Sequence, residues 1–182
     1  ALMVLEHQSQ MQNLITRAHF ETDTVNHYDQ LYNKALDRPA NFRSDVSKRR
    51  IARVAEDLLR YMLFVDEFAL KSPVQGTSKF TAEFSSRGLR DKHGRSLRQL
   101  DLQQRLFQFP CSYLVQSPAF ARLPKAVASL VASRLKTILY DQKREEGFRR
   151  LSETDRKSIR DILDATGPDW WKMANSKETT PR

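Results

Sequence analysis

The chain has few of the residues that build metal clusters, disulfides, turns and strands. Cys111 is the only cysteine among 182 residues, so the chain itself holds no intrachain disulfide, Cys-rich zinc site or CxxCH haem-attachment motif. It has only five Gly and seven Pro, and most of these lie between periodic apolar segments. This distribution is typical of a mostly helical protein with short connections. No apolar stretch approaches the length of a membrane span.

Several catalytic motifs are also missing from the sequence. The patterns HExxH, GxxxxGK[ST], GxSxG and GxGxxG do not occur. Their absence removes sequence support for a zincin, a P-loop enzyme, an α/β-hydrolase or a Rossmann enzyme. The sequence leaves open whether the protein is an enzyme.

Charge is abundant but uneven. The formal net charge is +9, although residues 1–42 hold three basic residues against five acids. A basic remainder can bind nucleic acid or an acidic surface by neutralising charge and releasing counterions. However, basic and acidic residues are interspersed, the longest basic run is Lys48-Arg49-Arg50, and aromatic residues do not alternate with cations. We therefore disfavour a nucleic-acid role and retain docking to an acidic partner as an alternative.

The first 36 residues form one long helical pattern. It runs from about Leu2 to Leu36 and ends before Pro39, either as one helix or as two with a kink near residues 21–24. It begins in mid-pattern at Ala1 without an N-cap residue, so we expect the chain to be the C-terminal part of a longer protein. The spacing predicts an inward seam of Val4, His7, Met11, Leu14, Ala18, Glu21, Val25, Tyr28, Tyr32 and Ala35.

Five further helices are expected after this one. Ser44 and Asp45 can cap the second, and Ser152 with Asp155 resembles a capping box at the start of the last, which Gly167 closes. The second helix is predicted to end near residue 68, and the last spans 152–167. Between them the sequence predicts a short helix at 80–88, an apolar helix at 97–109 and a helix at 126–142.

Together these patterns predict an all-α fold, an irregular bundle of about six helices around the long N-terminal helix. A long loop region near 71–96 interrupts it and has the character of a binding or active-site loop. We expect one helical domain over residues 1–174, onto which Trp170 and Trp171 pack, and a flexible polar tail at 175–182.

His7 is the leading candidate site residue because it lies on an apolar seam. A buried imidazole needs a hydrogen-bond partner or a metal to offset its desolvation. It is therefore either a core histidine satisfied by a neighbour, which is the commoner case, or a metal ligand, haem ligand or proton carrier. Glu6, Asn13 and Arg17 follow intervals of seven and four on one side of the same helix, and could face a ligand or solvent.

The other reactive side chains are weaker candidates. His19 and His27 fall on the outer side of the first helix, and His93 lies in a turn before Gly94. Cys111 follows Pro110 in an apolar neighbourhood, which favours a buried, inert thiol over a nucleophile.

Several phrases in the sequence resemble a known group of proteins when they are taken in order. These phrases are Ala1 to Gln8, Asn13 to Ala18, Gly76-Thr77-Ser78 with Phe80 to Phe84, Arg87 to Asp91, Gly94 to Arg98, and Arg105 to Leu114. They resemble the C-terminal region of a family of exported bacterial c-type cytochrome-like proteins of largely uncharacterised function, and the likeness extends from Ala1 to about Trp171.

This resemblance implies a function for the chain. Longer members of the family carry a CxxCH motif upstream, so the chain would be a helical domain of a periplasmic electron-transfer protein. It would form part of the surroundings of a haem c attached outside the chain. His7 would then be a candidate haem ligand or a residue beside the haem, and the partners would be the upstream haem-bearing segment or chain and a redox protein.

Overall fold

The computed structural model describes residues 1–141 and 145–176, and these residues form an all-α fold. The described part contains seven α-helices, two short 3-10 helices and no strand. The α-helices are α1 (Leu2–Ala35), α2 (Asp45–Met62), α3 (Phe80–Ser86), α4 (Pro118–Ala121), α5 (Lys125–Tyr140), α6 (Glu153–Thr166) and α7 (Asp169–Ser176), and the 3-10 helices are Tyr113–Gln116 and Glu146–Phe148.

The long first helix and α2 form the main packing unit. α1 is continuous over residues 21–24, so the alternative of two helices with a kink is wrong. The side chain of Ser44 caps α2 by accepting from the backbone N–H of Ser47. α5 then packs against α2, and one apolar core extends through the sequence from Val4 to Trp171.

The predicted inward seam of α1 is correct at five of its ten positions. Val4, His7, Met11, Ala18 and Val25 are buried as predicted. At four of the other positions the buried row contains the next residue along the chain, so that Ile15, Thr22, Asp29 and Asn33 are buried in place of Leu14, Glu21, Tyr28 and Tyr32. Tyr28 and Tyr32, predicted to face inward, are 50% and 60% exposed. A straight helix has 3.6 residues per turn, so one face is followed over this length only if the spacing averages 3.6.

Three polar side chains can occupy this row because each has a partner. The Thr22 hydroxyl donates to the carbonyl of Ala18, and Asp29 accepts from the Ser47 hydroxyl at 2.7 Å. Asn33 donates to the carbonyl of Phe42 at 2.9 Å. These hydrogen bonds offset the cost of burying polar groups.

The apolar helix predicted at 97–109 does not exist. Leu100 and Phe107 instead form an isolated antiparallel bridge, and the N–H of Gln108 donates to the carbonyl of Gln99 at 2.9 Å. Leu102 takes the left-handed backbone conformation, with φ of 60°, which closes the turn between them. The apolar residues of this segment are buried by a hairpin-like reversal, so their spacing is not a sign of helix.

Two of the three C-terminal helices, α5 and α6, match the helices predicted at 126–142 and 152–167, whereas α7 was not predicted. α6 begins with a capping box in which Ser152 and Asp155 exchange side-chain-to-backbone hydrogen bonds. Trp171 is fully buried and Trp170 nearly so, which confirms that both pack onto the bundle. α7 continues to Ser176, and the rest of the tail predicted at 175–182 lies outside the described residues.

Candidate functional site

A cleft of about 640 Å³ opens between the first half of α1, the end of α2 and the segment that follows α2. This volume lies within the range typical of small-molecule sites. We call it the His7 cleft, and its apolar and aromatic lining includes Met3, His7, Leu14, Tyr61, Phe64 and Leu106.

His7 lies at the inner wall of the cleft and is only 3% exposed. Its Nε2 atom is hydrogen-bonded to the Oγ atom of Ser112 at 2.8 Å. Ser112 is itself fully buried. Its N–H donates to the carbonyl of Met62, and its hydroxyl accepts from the N–H of Leu114. The imidazole is therefore anchored to a serine whose position the backbone fixes.

Aromatic rings surround the His7 imidazole. It stacks on Phe64, with ring centroids 4.7 Å apart, and on Tyr61 at 5.3 Å. Phe107 meets it edge-on at 5.5 Å, and Tyr113 lies at 6.2 Å. The ring is therefore fixed in orientation as well as in position.

These surroundings hold the imidazole in its neutral form. Burial lowers the pKa of His7 from 6.5 to about 4, because the apolar and aromatic environment disfavours the charged ring. A neutral imidazole can accept or donate a hydrogen bond and can ligate a metal.

The cleft has a charged rim. Arg60 forms an ion pair with Asp66 at 2.8 Å. Glu67 accepts a hydrogen bond from the N–H of Leu106 at 2.9 Å, and its pKa is raised, mainly by burial. Glu6 also lines the cleft, and the pKa of Tyr61 is raised by burial and by this nearby carboxylate.

The predicted site residues on α1 divide between the cleft and the solvent. His7 and Glu6 line the cleft, whereas Asn13 and Arg17 do not. Asn13 is exposed, and Arg17 pairs with Asp57 at 3.2 Å beside the cleft. Glu6, Asn13 and Arg17, which the sequence placed on one side of α1, therefore do not line the cleft together.

Sequence reasoning missed most of the residues around His7. Ser112, Phe107 and Glu67 come from irregular segments far from α1 in sequence, so no periodicity connects them with His7. Tyr61 and Phe64 could have been found, because they adjoin the apolar face of α2 at its C-terminal end.

The described residues do not contain a group of three or more His, Cys, Asp or Glu side chains that could hold a metal ion. His27 and His93 are exposed, His19 is half-buried, and the three do not form a common site with His7. Cys111 is fully buried, and burial raises the pKa of its thiol to about 12, as expected for an inert cysteine.

Comparisons of the whole chain with protein-family models, with curated proteins and with solved structures produced no match. Among the described helices, none is both long and apolar enough to cross a membrane. The described residues thus define an all-α fold with an aromatic-walled cleft beside His7.

Proposed function

We propose that the chain is a binding domain whose His7 cleft surrounds a planar, mainly apolar group, and that this group is the haem of a c-type cytochrome-like redox protein. The observation that supports this most directly is the neutral imidazole stacked on Tyr61 and Phe64 at the wall of a 640 Å³ cleft. Aromatic and aliphatic walls favour burial of a flat apolar ligand. The upstream attachment of the haem and the periplasmic location belong to the same proposal.

In this proposal His7 is a wall residue and not the iron ligand. Ligation through Nε2 would require loss of the 2.8 Å hydrogen bond to Ser112 and would leave that buried hydroxyl without its imidazole partner. Tyr61 and Phe64 also hold the ring in its present orientation. Haem supplies the redox chemistry when bound, and the residues of this chain exclude water and position its edge.

Titration with two porphyrins tests the proposal. Haemin and metal-free protoporphyrin are added to the chain, and the shift of their absorption bands is followed. Both should bind with similar affinity, since a wall residue does not discriminate between them. Gln10→Trp, which would fill the mouth of the cleft from an exposed position, should weaken both by about tenfold or more.

Asn13→Trp is the matched control, because Asn13 is exposed on the same helix and lies outside the cleft. It should leave both affinities unchanged. If His7→Phe weakened the binding of haemin but not of metal-free protoporphyrin, this would show that His7 ligates the iron and would contradict its role as a wall residue. Failure of both porphyrins to bind would contradict the haem as occupant.

A second candidate function is docking to an acidic partner. Arg49 and Arg53 lie one turn apart on the exposed side of α2 and form no ion pair within the described part of the chain. A polyglutamate peptide should bind the chain at low salt and dissociate as salt is added, because screening weakens exposed charge pairs. Joint replacement of Arg49 and Arg53 by Gln should weaken this binding more than Lys157→Gln, an exposed cation on α6.

A further inference from the structure

The second half of α1 exposes an apolar stripe on the side away from its buried row. Phe20, Tyr28 and Leu31 are 68%, 50% and 53% exposed, respectively. With half-buried Thr24 and exposed Ala35 they follow the spacing i, i+4, i+8, i+11 and i+15. This spacing keeps the five side chains on one face over four turns, the pattern of a helix that pairs with another helix. We call these five residues the α1 stripe.

The stripe is lined on one flank by two opposite charges. Asp23 and Lys34 each come three residues after an apolar member of the stripe, Phe20 and Leu31 respectively, so they lie on the same flank. Both are exposed, and neither forms an ion pair with another described residue. The midpoint of Asp23 and Lys34 falls beside Tyr28, which is also at the middle of the stripe.

We propose that the α1 stripe is the interface of a symmetric dimer in which α1 packs antiparallel against α1 of a second copy. Two-fold antiparallel pairing brings matching flanks together, so Asp23 of each copy meets Lys34 of the other. It places Tyr28 next to its counterpart and Phe20 near the opposite end of the stripe. Parallel two-fold pairing would instead place this flank against the opposite flank of the other helix, so neither Asp23 nor Lys34 would meet its opposite charge.

Contacts within the chain order the central side chain of the α1 stripe and the helix that carries it. The ring of Tyr28 contacts Tyr32 on one side, with centroids 6.5 Å apart, and His27 on the other at 5.9 Å. α1 is fixed from behind by its packing on α2. A preordered aromatic at the centre of an interface loses little side-chain entropy on association. This interface is on the opposite face of α1 from the buried row and is separate from the proposed porphyrin site.

Sedimentation equilibrium of the full chain tests the surface. Wild-type protein should dimerise, and Leu31→Asp should raise the dimer dissociation constant by about tenfold or more, because it places a charge in the apolar centre. Leu5→Asp is the control, since Leu5 is 58% exposed on α1 but outside the stripe. Far-UV circular dichroism checks that both variants remain folded. A monomeric wild type, or equal effects of the two variants, would overturn the proposal.

Charge exchange tests the orientation. Asp23→Lys turns two symmetry-related attractive pairs into repulsive ones, and we expect dimerisation to weaken by about three- to tenfold. Adding Lys34→Asp to the same chain should restore it, because the pairs are attractive again with their signs exchanged. Absence of this rescue would overturn the antiparallel arrangement.

Disulfide trapping gives an independent test, because the native Cys111 is fully buried. Tyr28→Cys lies next to the two-fold axis and should form a cross-linked dimer on mild oxidation. Asp23→Cys should not, since the two copies of this position lie at opposite ends of the interface. Equal cross-linking of both variants would contradict the antiparallel arrangement, and cross-linking of neither would overturn the interface.

Discussion

The imidazole of His7 couples the stability of the protein to pH. Its pKa is about 4 in the folded chain and 6.5 when unperturbed, so the unfolded chain binds this proton at a higher pH than the folded chain does. The stabilising contribution of neutral His7 is complete above pH 6.5 and is lost as pH falls toward 4. The loss should reach about 3 kcal/mol in the free energy of unfolding.

Urea denaturation of wild type and of His7→Phe over a pH series measures this loss. Phe keeps a ring on Tyr61 and Phe64 but has no titrating nitrogen. The difference in free energy of unfolding between the two proteins should change between pH 6.5 and 4. The contributions of the carboxyl groups are common to both proteins and cancel in this difference. Parallel stability curves for the two proteins would refute the assignment of the shift to His7.

At the residue scale, the sequence predicted the burial of His7 but not its hydrogen-bond partner. The placement of His7 on an apolar seam predicted its burial, which the structure confirms. Its partner could not be predicted, because Ser112 is 105 residues away and reaches His7 only through the irregular segment after α2. A hydrogen bond between segments of no regular period leaves no local pattern in a sequence.

Among the elements, α6 is the one whose ends the sequence defines best. The N–H of Asp155 donates to Ser152 Oγ at 3.0 Å, and the N–H of Ser152 donates to Asp155 Oδ2 at 3.2 Å. Ser152→Ala should therefore lower the free energy of unfolding by about 1 kcal/mol. Thr154→Ala, at an exposed position in the same turn, serves as control. Equal urea midpoints for the two variants would show that the capping box contributes little.

Glycine is required at position 167, the end of α6, because there is no room for a side chain, and not because of its backbone angles. Its φ is −60°, but a Cβ atom would lie 2.0 Å from the carbonyl oxygen of Leu163. Gly167→Ala should cost about 2 kcal/mol or more, since the contact is with backbone that cannot rotate away. Gly76→Ala, where a Cβ would meet nothing within 4 Å, should change stability by less than about 0.5 kcal/mol. Thermal unfolding of both variants provides the comparison.

Prediction of elements failed where apolar spacing had two explanations. Short apolar repeats fit a helix and a buried reversal equally well, and at residues 97–109 the left-handed turn at Leu102 produces the reversal. On α1 the helix itself was predicted correctly, but its inner face was predicted correctly at only half of the positions. Burial of Asp29 and Asn33 depends on partners supplied by α2 and the preceding loop, which a helical wheel does not include.

For the whole molecule, the all-α class followed from scarce Gly and Pro and from helical spacing, and the structure confirms it. α7 adds its two tryptophans to the apolar core. Trp171 is fully buried, and its indole N–H donates to Asp164 at 2.8 Å. Trp171→Ala should cost about 3–5 kcal/mol, because it leaves a large cavity between α7 and the bundle.

Circular dichroism during thermal unfolding measures this cost. Lys172→Ala, an exposed neighbour on the same helix, is the control and should shift the midpoint little. A similar midpoint for Trp171→Ala and for the control would mean that α7 contributes little to the stability of the whole fold.

The position of the two tryptophans also decides what spectroscopy can observe. Trp170 and Trp171 are the only tryptophans in the chain, and both lie in α7. The indole of Trp170 donates to the carbonyl of Val115, so intrinsic fluorescence reports the docking of the C-terminal end. Emission is therefore a probe of the surroundings of α7, and rearrangements of side chains at the His7 cleft that leave α7 in place would change it little. A tryptophan in place of Phe68, which is 92% exposed on the cleft rim, would provide the missing reporter there.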